Sequence, residues 1–336
     1  MNSCMIPVRS ICFSAAFALL ALPASATWTL SSEGVPSGCT HVITDGNWKI
    51  GVSRKTDDAW YLNKESGNGS GYIAGEGVLD LRNVAEETQC EAFPNGVILK
   101  GANNGSMENA KDKMTECYLP DSFERMAGIF MKSDQTLAKI VFGSGIKQIG
   151  TRAFCDRMNA CKALKTVEFA GGAPRLTESI GEEAFRSCSE IESDFDFSRS
   201  TFTEVGGLAF ADLTKVRHIY LPETLTTIGA QAFFGNKNSR VLWFCGPPPT
   251  SIGTDALNPK GGNPWVLVAG RKHAVEWKAD ERILPFEGTE KATAKTAAES
   301  FGLAGFKPIG KWKYQTGGYT HWVVEEPTPG FSMVLR

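Results

Sequence analysis

A six-residue pattern recurs five times in this chain and constrains its fold more than any other feature. Ile149-Gly150-x-x-Ala153-Phe154 returns as Ile180-Gly181-x-x-Ala184-Phe185, Val205-Gly206-x-x-Ala209-Phe210, Ile228-Gly229-x-x-Ala232-Phe233 and Ile252-Gly253-x-x-Ala256-Leu257. The steps between copies are 31, 25, 23 and 24 residues. Such a period belongs to stacked-repeat architectures, where one unit is too small to bury its own apolar face and neighbouring units bury it together.

Each unit has the same physical logic. In the second copy Ala184, Phe185, Cys188 and Ile191 stand at i, i+1, i+4 and i+7, which predicts one face of a short helical turn. The glycine before it allows a tight bend or a close approach of successive units. A short apolar-x-apolar piece with the period of a strand follows. These pieces are Ile140-Val141-Phe142, Val167-Glu168-Phe169, Phe195-Asp196-Phe197, Ile219-Tyr220-Leu221 and Leu242-Trp243-Phe244. Cys117-Tyr118-Leu119 reads as a degenerate earlier unit and Val266-Leu267-Val268 as a closing one. The expected fold is a leucine-rich-repeat solenoid of short parallel strands and short helical turns.

The pattern resembles the BspA-type leucine-rich repeats of bacterial surface proteins, whose units run approximately as IGxxAFxxCxxLxxVxxP. The resemblance covers about Met114 to Trp277. Ser179-Ile180-Gly181 through Cys188 and Ile191 follows it closely, as does Cys161-x-x-Leu164-x-x-Val167, although four extra residues separate Phe154 from Cys161. Leu213 and Asn236 replace the Cys in later copies. The resemblance implies surface display, adhesion to protein or matrix, and no catalysis. It fixes no ligand, because repeat scaffolds host many partners.

The ends differ from the middle. Arg9, the apolar run Ile11–Leu22, Pro23 and Ala24-Ser25-Ala26 form a signal peptide pattern, with cleavage expected after Ala26. The run is too short to span a bilayer, and no membrane span is expected in the mature chain. The expected location is therefore secreted or cell-surface. Residues 27–110 carry Trp28, Trp48 and Trp60 among turn signals such as Asp45-Gly46 and Asn68-Gly69, and Gly77–Leu81 alternates like a strand. This region reads as a β-rich cap on the first repeat or as a carbohydrate-binding module whose tryptophans stack on sugars; the core reading of the tryptophans is the commoner one. The repeat array is placed at 111–284. An α+β C-terminal cap is placed at 285–336, with a helix over Thr289–Phe301 N-capped by Thr289, and strands at Trp312–Tyr314 and Thr320–Val324 joined through Gly317-Gly318. Phe331–Leu335 reads as a further strand.

Charge and motif content narrow the function. The 35 basic and 37 acidic residues nearly cancel, which argues against a nucleic-acid partner. The four histidines, His41, His218, His273 and His321, lie in unrelated segments. No GxSxG, HExxH or phosphate-loop pattern occurs, and Gly69-Ser70-Gly71 reads as a turn. Asp194 and Asp196 are too few oxygens for calcium and read as a solvated strand face. No metal, cofactor or catalytic residue is expected. Of the seven cysteines beyond the signal, Cys161 and Cys188 should be small buried hydrophobes. Cys155 pairs with Cys161 or with nothing, and Cys39–Cys90 is a candidate bridge.

One feature exceeds packing. The middle residue of each strand should face away from the interior by alternation. Those residues are Tyr118, Val141, Glu168, Asp196, Tyr220 and Trp243; two positions earlier stand Lys139, Thr166, Asp194, His218 and Val241. Carboxylates thus precede aromatics along the stack. Glu168, Asp196, His218, Tyr220 and Trp243 form the candidate ligand-binding face, since exposed Tyr and Trp are typical binding anchors; the alternative is that a flanking cap packs on them. The expected partner is a protein or glycoprotein, of host or matrix origin, with polysaccharide as the second possibility.

Overall fold

The computed structural model describes residues 27–327, apart from 57–58, 63–72, 103–106, 108–109, 111, 129, 132–133, 157–158, 238–240 and 316–319. The signal pattern, the Gly69-Ser70-Gly71 and Gly317-Gly318 turns and the Phe331–Leu335 strand lie outside these residues.

Successive units stack through three hydrogen-bonded ladders. The first is built from the apolar-x-apolar strands. Gly77–Asp80, Met114–Tyr118, Lys139–Phe142 and Thr166–Phe169 form one four-stranded parallel sheet. Phe195–Asp196, His218–Leu221, Val241–Phe244, Val266–Ala269 and His321–Glu325 run parallel in a second sheet, which Lys307–Trp312 and Ile283–Leu284 close antiparallel. The Gly77–Asp80 strand, within the region expected as an N-terminal cap, is thus a member of the stack.

The second ladder consists of two-residue strands at the start of each hexamer. Thr227–Ile228 lies between Glu204–Val205 and Ser251–Ile252, all parallel, and Ile180 bridges Ile149 to Val205. Its N-terminal side runs through Gln148–Ile149, Arg125–Met126 and Leu99–Ala102 into the antiparallel strands Ala59–Leu62, Lys49–Thr56, His41–Thr44 and Thr29–Ser31.

The third ladder corrects one expectation: the hexamers form turns, not helical turns. Their fourth residue, Arg152, Glu183, Leu208, Gln231 or Asp255, has φ between 54° and 59°. That left-handed conformation interrupts a right-handed helix. It aims alternate N–H groups at the next unit. Glu183 N–H donates to Gly207 C=O at 2.9 Å and Phe185 N–H to Ala209 C=O at 2.8 Å; Leu208 and Phe210 repeat this onto Ala230 and Ala232. Periodicity alone suggested a helix because a stacked turn also buries residues at i, i+1 and i+4.

The glycine column explains how closely the units approach. A Cβ on Gly181 would lie 2.3 Å from Thr151 N; on Gly229, 2.4 Å from Gly207 N; on Gly253, 2.3 Å from Ala230 N. All are backbone atoms, so no side chain can move aside. Beneath them, Phe154, Phe185, Phe210 and Phe233 stack with centroid separations of 5.2, 5.7 and 5.6 Å, and the column ends edge-on against Trp265. One contiguous core runs from Trp28 to Val323.

The cysteine position is a hydrogen-bonding position as well as an apolar one. Cys161 Sγ donates to Met131 C=O at 3.0 Å and Cys188 Sγ to Phe154 C=O at 3.6 Å, both thiols being buried. Asn236, which replaces the Cys, donates through Nδ2 to Phe210 C=O at 2.9 Å and accepts Leu213 N–H at 2.6 Å. Cys161 is a free thiol, so no Cys155–Cys161 bond is formed; Cys90 is a free, exposed thiol, so the candidate Cys39–Cys90 bridge is not formed either.

The N-terminal tryptophans are structural. Trp48 and Trp60 are fully buried, so neither can stack on a sugar ring. Trp28 Nε1 donates to Asp80 C=O at 2.9 Å and Trp48 Nε1 to Val78 C=O at 2.7 Å. These indoles occupy carbonyls of the Gly77–Asp80 strand, at the edge of its sheet, which would otherwise invite another strand. At the other end, the helix Glu290–Ser300 forms where expected. Thr289 holds the N-cap position without a side-chain bond; Glu290 reaches back instead, its Oε2 accepting Glu287 N–H at 2.7 Å.

Candidate binding face

The outer surface of the strand ladder changes character along the stack. Ile219 and Leu221 are buried beside half-buried Tyr220, and Leu242 and Phe244 beside half-buried Trp243. Parallel in-register pairing puts Asp196, Tyr220 and Trp243 side by side on successive strands, and likewise His218 beside Val241.

On the early strands the face is ionic. Lys139 Nζ pairs with Glu168 Oε2 at 2.8 Å. Tyr118 donates its hydroxyl proton to Glu116 Oε2 at 2.5 Å, while the Arg82 guanidinium sits 4.6 Å from its ring centroid. Burial first, then the Glu116 carboxylate, pushes the Tyr118 hydroxyl up to about 12.

On the later strands the face is aromatic. The Tyr220 ring stacks on Trp243 with centroids 5.1 Å apart and lies near-parallel to the His218 ring at 6.2 Å. Trp243 Nε1 donates to His218 Nδ1 at 3.3 Å, so that nitrogen carries no proton and the ring is neutral. Burial is the main force lowering the His218 pKa; Asp194 opposes it and Arg217 adds to it. Burial, followed by Asp194 and Asp196, raises Tyr220 to about 12, so its hydroxyl remains a donor at neutral pH.

Both carboxylates beside this stack have backbone duties. Asp194 Oδ1 accepts the N–H groups of Arg217 and His218 at 3.2 and 2.9 Å, and Asp196 Oδ1 accepts Ser198 N–H at 2.9 Å. Among the described residues, no group of three or more His, Cys, Asp or Glu side chains is arranged to hold a metal ion. Of the other histidines, His41 packs edge-on against Trp60, His273 lies 3.3 Å from both Glu223 and Glu276, and His321 is buried.

The C-terminal segment covers one part of this face. Ala298, Leu303 and Phe306 pack over Val241, Val266, Val268 and Val324 in a small apolar cluster that Trp243 borders. The Phe306 ring meets Trp243 edge-on at 5.5 Å. Trp243 is therefore partly covered, and His218 and Tyr220 lie next to that boundary, toward the strands nearer the N-terminus. Phe306, 63 positions beyond Trp243, carries no sequence signal for this contact.

Short parallel strands joined by tight turns and stacked in register are the architecture of a leucine-rich-repeat protein. Residues 127–257 match the model of the BspA type leucine rich repeat region in six copies, and this part of the chain carries BspA-type leucine-rich repeats. Two solved structures match the chain. One is the pneumococcal vaccine antigen PcpA, at 14% identity over 70% of this chain and 82% of that one, with a TM-score of 0.19. The other is a leucine rich cell surface protein from Faecalibacterium prausnitzii A2-165, at 11% identity over 69% and 89%, with a TM-score of 0.18. No curated protein matches the chain. No helix among the described residues is long and apolar enough to cross a membrane.

Proposed function

We propose that this chain is exported through its N-terminal signal, is secreted or displayed at the cell surface, and binds a protein or glycoprotein without catalysing a reaction. The scaffold is a solenoid, with residues 27–110 closing its first end, 111–284 forming the array and 285–336 closing the other. The binding face is the outer surface of the strand ladder at Glu168, Asp196, His218, Tyr220 and Trp243. The observation that carries this reading is the half-exposed Tyr220 ring, held against both His218 and Trp243. A ring already immobilised loses little side-chain entropy on binding, which is what makes buried-edge aromatics effective anchors.

The test is a binding series on residues 27–336 against purified extracellular-matrix proteins and glycoproteins, with Tyr220→Ala run in parallel. Trp243 stays intact because it also packs on Phe306. Truncation of an anchoring aromatic typically costs 2 kcal/mol or more, so a fall in affinity of about thirtyfold is expected. Binding that Tyr220→Ala leaves unchanged, or no binding across the series, refutes this face. N-terminal sequencing of the exported protein should begin at Thr27.

A further inference from the structure

The outer column of the strand ladder holds the same aspartate–tyrosine pair twice. Asp80 is in register with Tyr118 on the next strand, and Asp196 is in register with Tyr220 on the next strand. The turn that follows each aspartate is also the same. Asp80 Oδ1 accepts the N–H of Arg82 at 3.1 Å, and Asp196 Oδ1 accepts the N–H of Ser198 at 2.9 Å, two residues on in both cases. Such a turn holds the carboxylate against its own backbone and so fixes it at the strand end.

The two copies differ in the side chain two residues on. In the first, Arg82 returns its guanidinium to the carboxylate: Nε donates to Asp80 Oδ1 at 2.9 Å, and Nη2 donates to Oδ2. The same guanidinium lies 4.6 Å from the centroid of the Tyr118 ring. Asp80 and Tyr118 together therefore seat one planar cation, the carboxylate matching its fork and the ring its flat face. In the second copy the residue is Ser198, which is short and uncharged. Among the described residues, no cation lies over the Tyr220 ring and no lysine or arginine pairs with Asp196. Arg199 and Arg217, the arginines nearest in sequence, are exposed. The surroundings are acidic. Burial, then Asp194 and Asp196, and after them Cys245 and Glu326, hold the Tyr220 hydroxyl up, whereas at Tyr118 Arg82 opposes burial and Glu116. Asp194 and Asp196 each give Oδ1 to backbone N–H groups, which leaves Oδ2 of each for a partner.

We propose that Asp196 and Tyr220 receive an arginine side chain of the partner protein, its guanidinium paired with the Asp196 carboxylate and laid over the Tyr220 ring as Arg82 is with Asp80 and Tyr118. This rests on the reading of the strand face as the binding surface, and it names the chemistry that face selects: a basic segment presenting arginine. Trp243 occupies the strand on one side of Tyr220, and Asp196 stands on the strand on the other. The incoming guanidinium thus adds a layer to an existing aromatic stack at the position where the carboxylate lies. Lysine fits less well, because an ammonium is a point charge with neither fork nor flat face. An acidic segment would meet like charge at Asp194 and Asp196.

The test is an NMR titration of residues 27–336 with acetyl-Gly-Arg-Gly-amide and with its counterparts carrying lysine or citrulline, the uncharged analogue of arginine. The Tyr220 and Trp243 ring signals are followed. The arginine peptide should shift them and bind at least about fivefold more tightly than the lysine peptide, with the citrulline peptide silent. Asp196→Asn keeps an acceptor for the Ser198 N–H but removes the charge, and should weaken arginine binding about fivefold or more. Ser198→Arg should supply the guanidinium from the chain itself, as Arg82 does, and abolish the response. Unmoved ring signals, an arginine peptide that binds no tighter than the other two, or a response that survives Ser198→Arg overturns the proposal. Matrix-protein binding that falls in Tyr220→Ala but not in Ser198→Arg would leave the face standing and refute its arginine chemistry alone.

Discussion

Replacing Gly229 with alanine tests whether backbone contact sets the spacing of the units. The added Cβ would lie 2.4 Å from Gly207 N, 2.7 Å from Gly206 C and 2.8 Å from Gly207 Cα. Ordinary van der Waals contact begins near 3.4 Å, so the two units must separate by about 1 Å at this point. Three of the bonds that cross the junction lie beside this contact: Gly229 N–H to Val205 C=O at 2.8 Å, Leu208 N–H to Ala230 C=O at 3.0 Å and Phe210 N–H to Ala232 C=O at 2.8 Å. The same separation would carry them to about 4 Å, beyond useful bonding distance. At roughly 0.5–1.5 kcal/mol each, with an added cost for buried groups left unmade, the loss is about 3–5 kcal/mol. Gly229 has no left-handed φ, so alanine carries no backbone penalty there and would otherwise stabilise by about 0.4–1 kcal/mol through the unfolded chain. Calorimetry should show a melting temperature lower by about 5–8 °C. Gly302→Ala, at φ +82° with nothing within 4 Å, isolates the pure conformational cost of about 1–2 kcal/mol. If Gly229→Ala melts no lower than Gly302→Ala, the close-approach account of the glycine column is wrong.

Other consequences follow from the buried polar groups. Burial lowers His321 to about 3 from an ordinary 6.5. The folded state therefore refuses a proton that the unfolded chain accepts: this stability is complete above about 6.5 and is lost as pH falls toward 3. The slope is about 1.4 kcal/mol per pH unit, so melting should fall between pH 6.5 and 5, and His321→Gln should flatten that dependence; an unchanged profile would refute it. Asn236→Leu keeps the apolar size of Leu213 but removes two buried bonds, so denaturant titration should show a loss of about 2–4 kcal/mol, whereas a neutral result would mean size alone matters there. Burial raises the Cys161 and Cys188 thiols far above their usual range, so brief alkylation of the folded protein at pH 8 should modify exposed Cys90 and spare both; labelling of Cys188 before unfolding would contradict its place in the core.

What the sequence made legible is what repeats. Ile-Gly-x-x-Ala-Phe marks a rung, a close-approach glycine and a stacked ring in five places, so each assignment is checked by four others. The strands from Cys117 to Phe244 were readable for the same reason, and so was the alternation that sets Tyr220 and Trp243 on the outer surface. The turn conformation was not. Left-handed backbone at Arg152, Glu183, Leu208, Gln231 and Asp255 falls on five different side chains, because what holds it is the neighbouring unit's carbonyl and not the residue itself. In the sequence Cys188 has only the mark of a small hydrophobe; its bond to Phe154 C=O matches the one Asn236 makes to Phe210 C=O, and no spacing signals it.

The ends were legible only as places where the pattern stops, and the physics of a stack explains why. An interior unit solves the same bonding problem as its neighbours, so one sequence solution recurs. A terminal unit must satisfy donors or acceptors that no further unit meets, and any side chain with the right reach will serve. Trp28 and Trp48 do this for the carbonyls of Gly77–Asp80; Gln315 and Tyr314 do it for the amides of Asp255 and Leu257. The same aromatic residue types therefore carry opposite meanings along this chain. Trp48 is buried because it ends a ladder, whereas Tyr220 remains half-exposed because the Glu290–Ser300 helix and the residues after it cover the strands from Val241 onward. Position relative to the end of the stack, not residue type, separates the aromatics that close this fold from those left half-exposed.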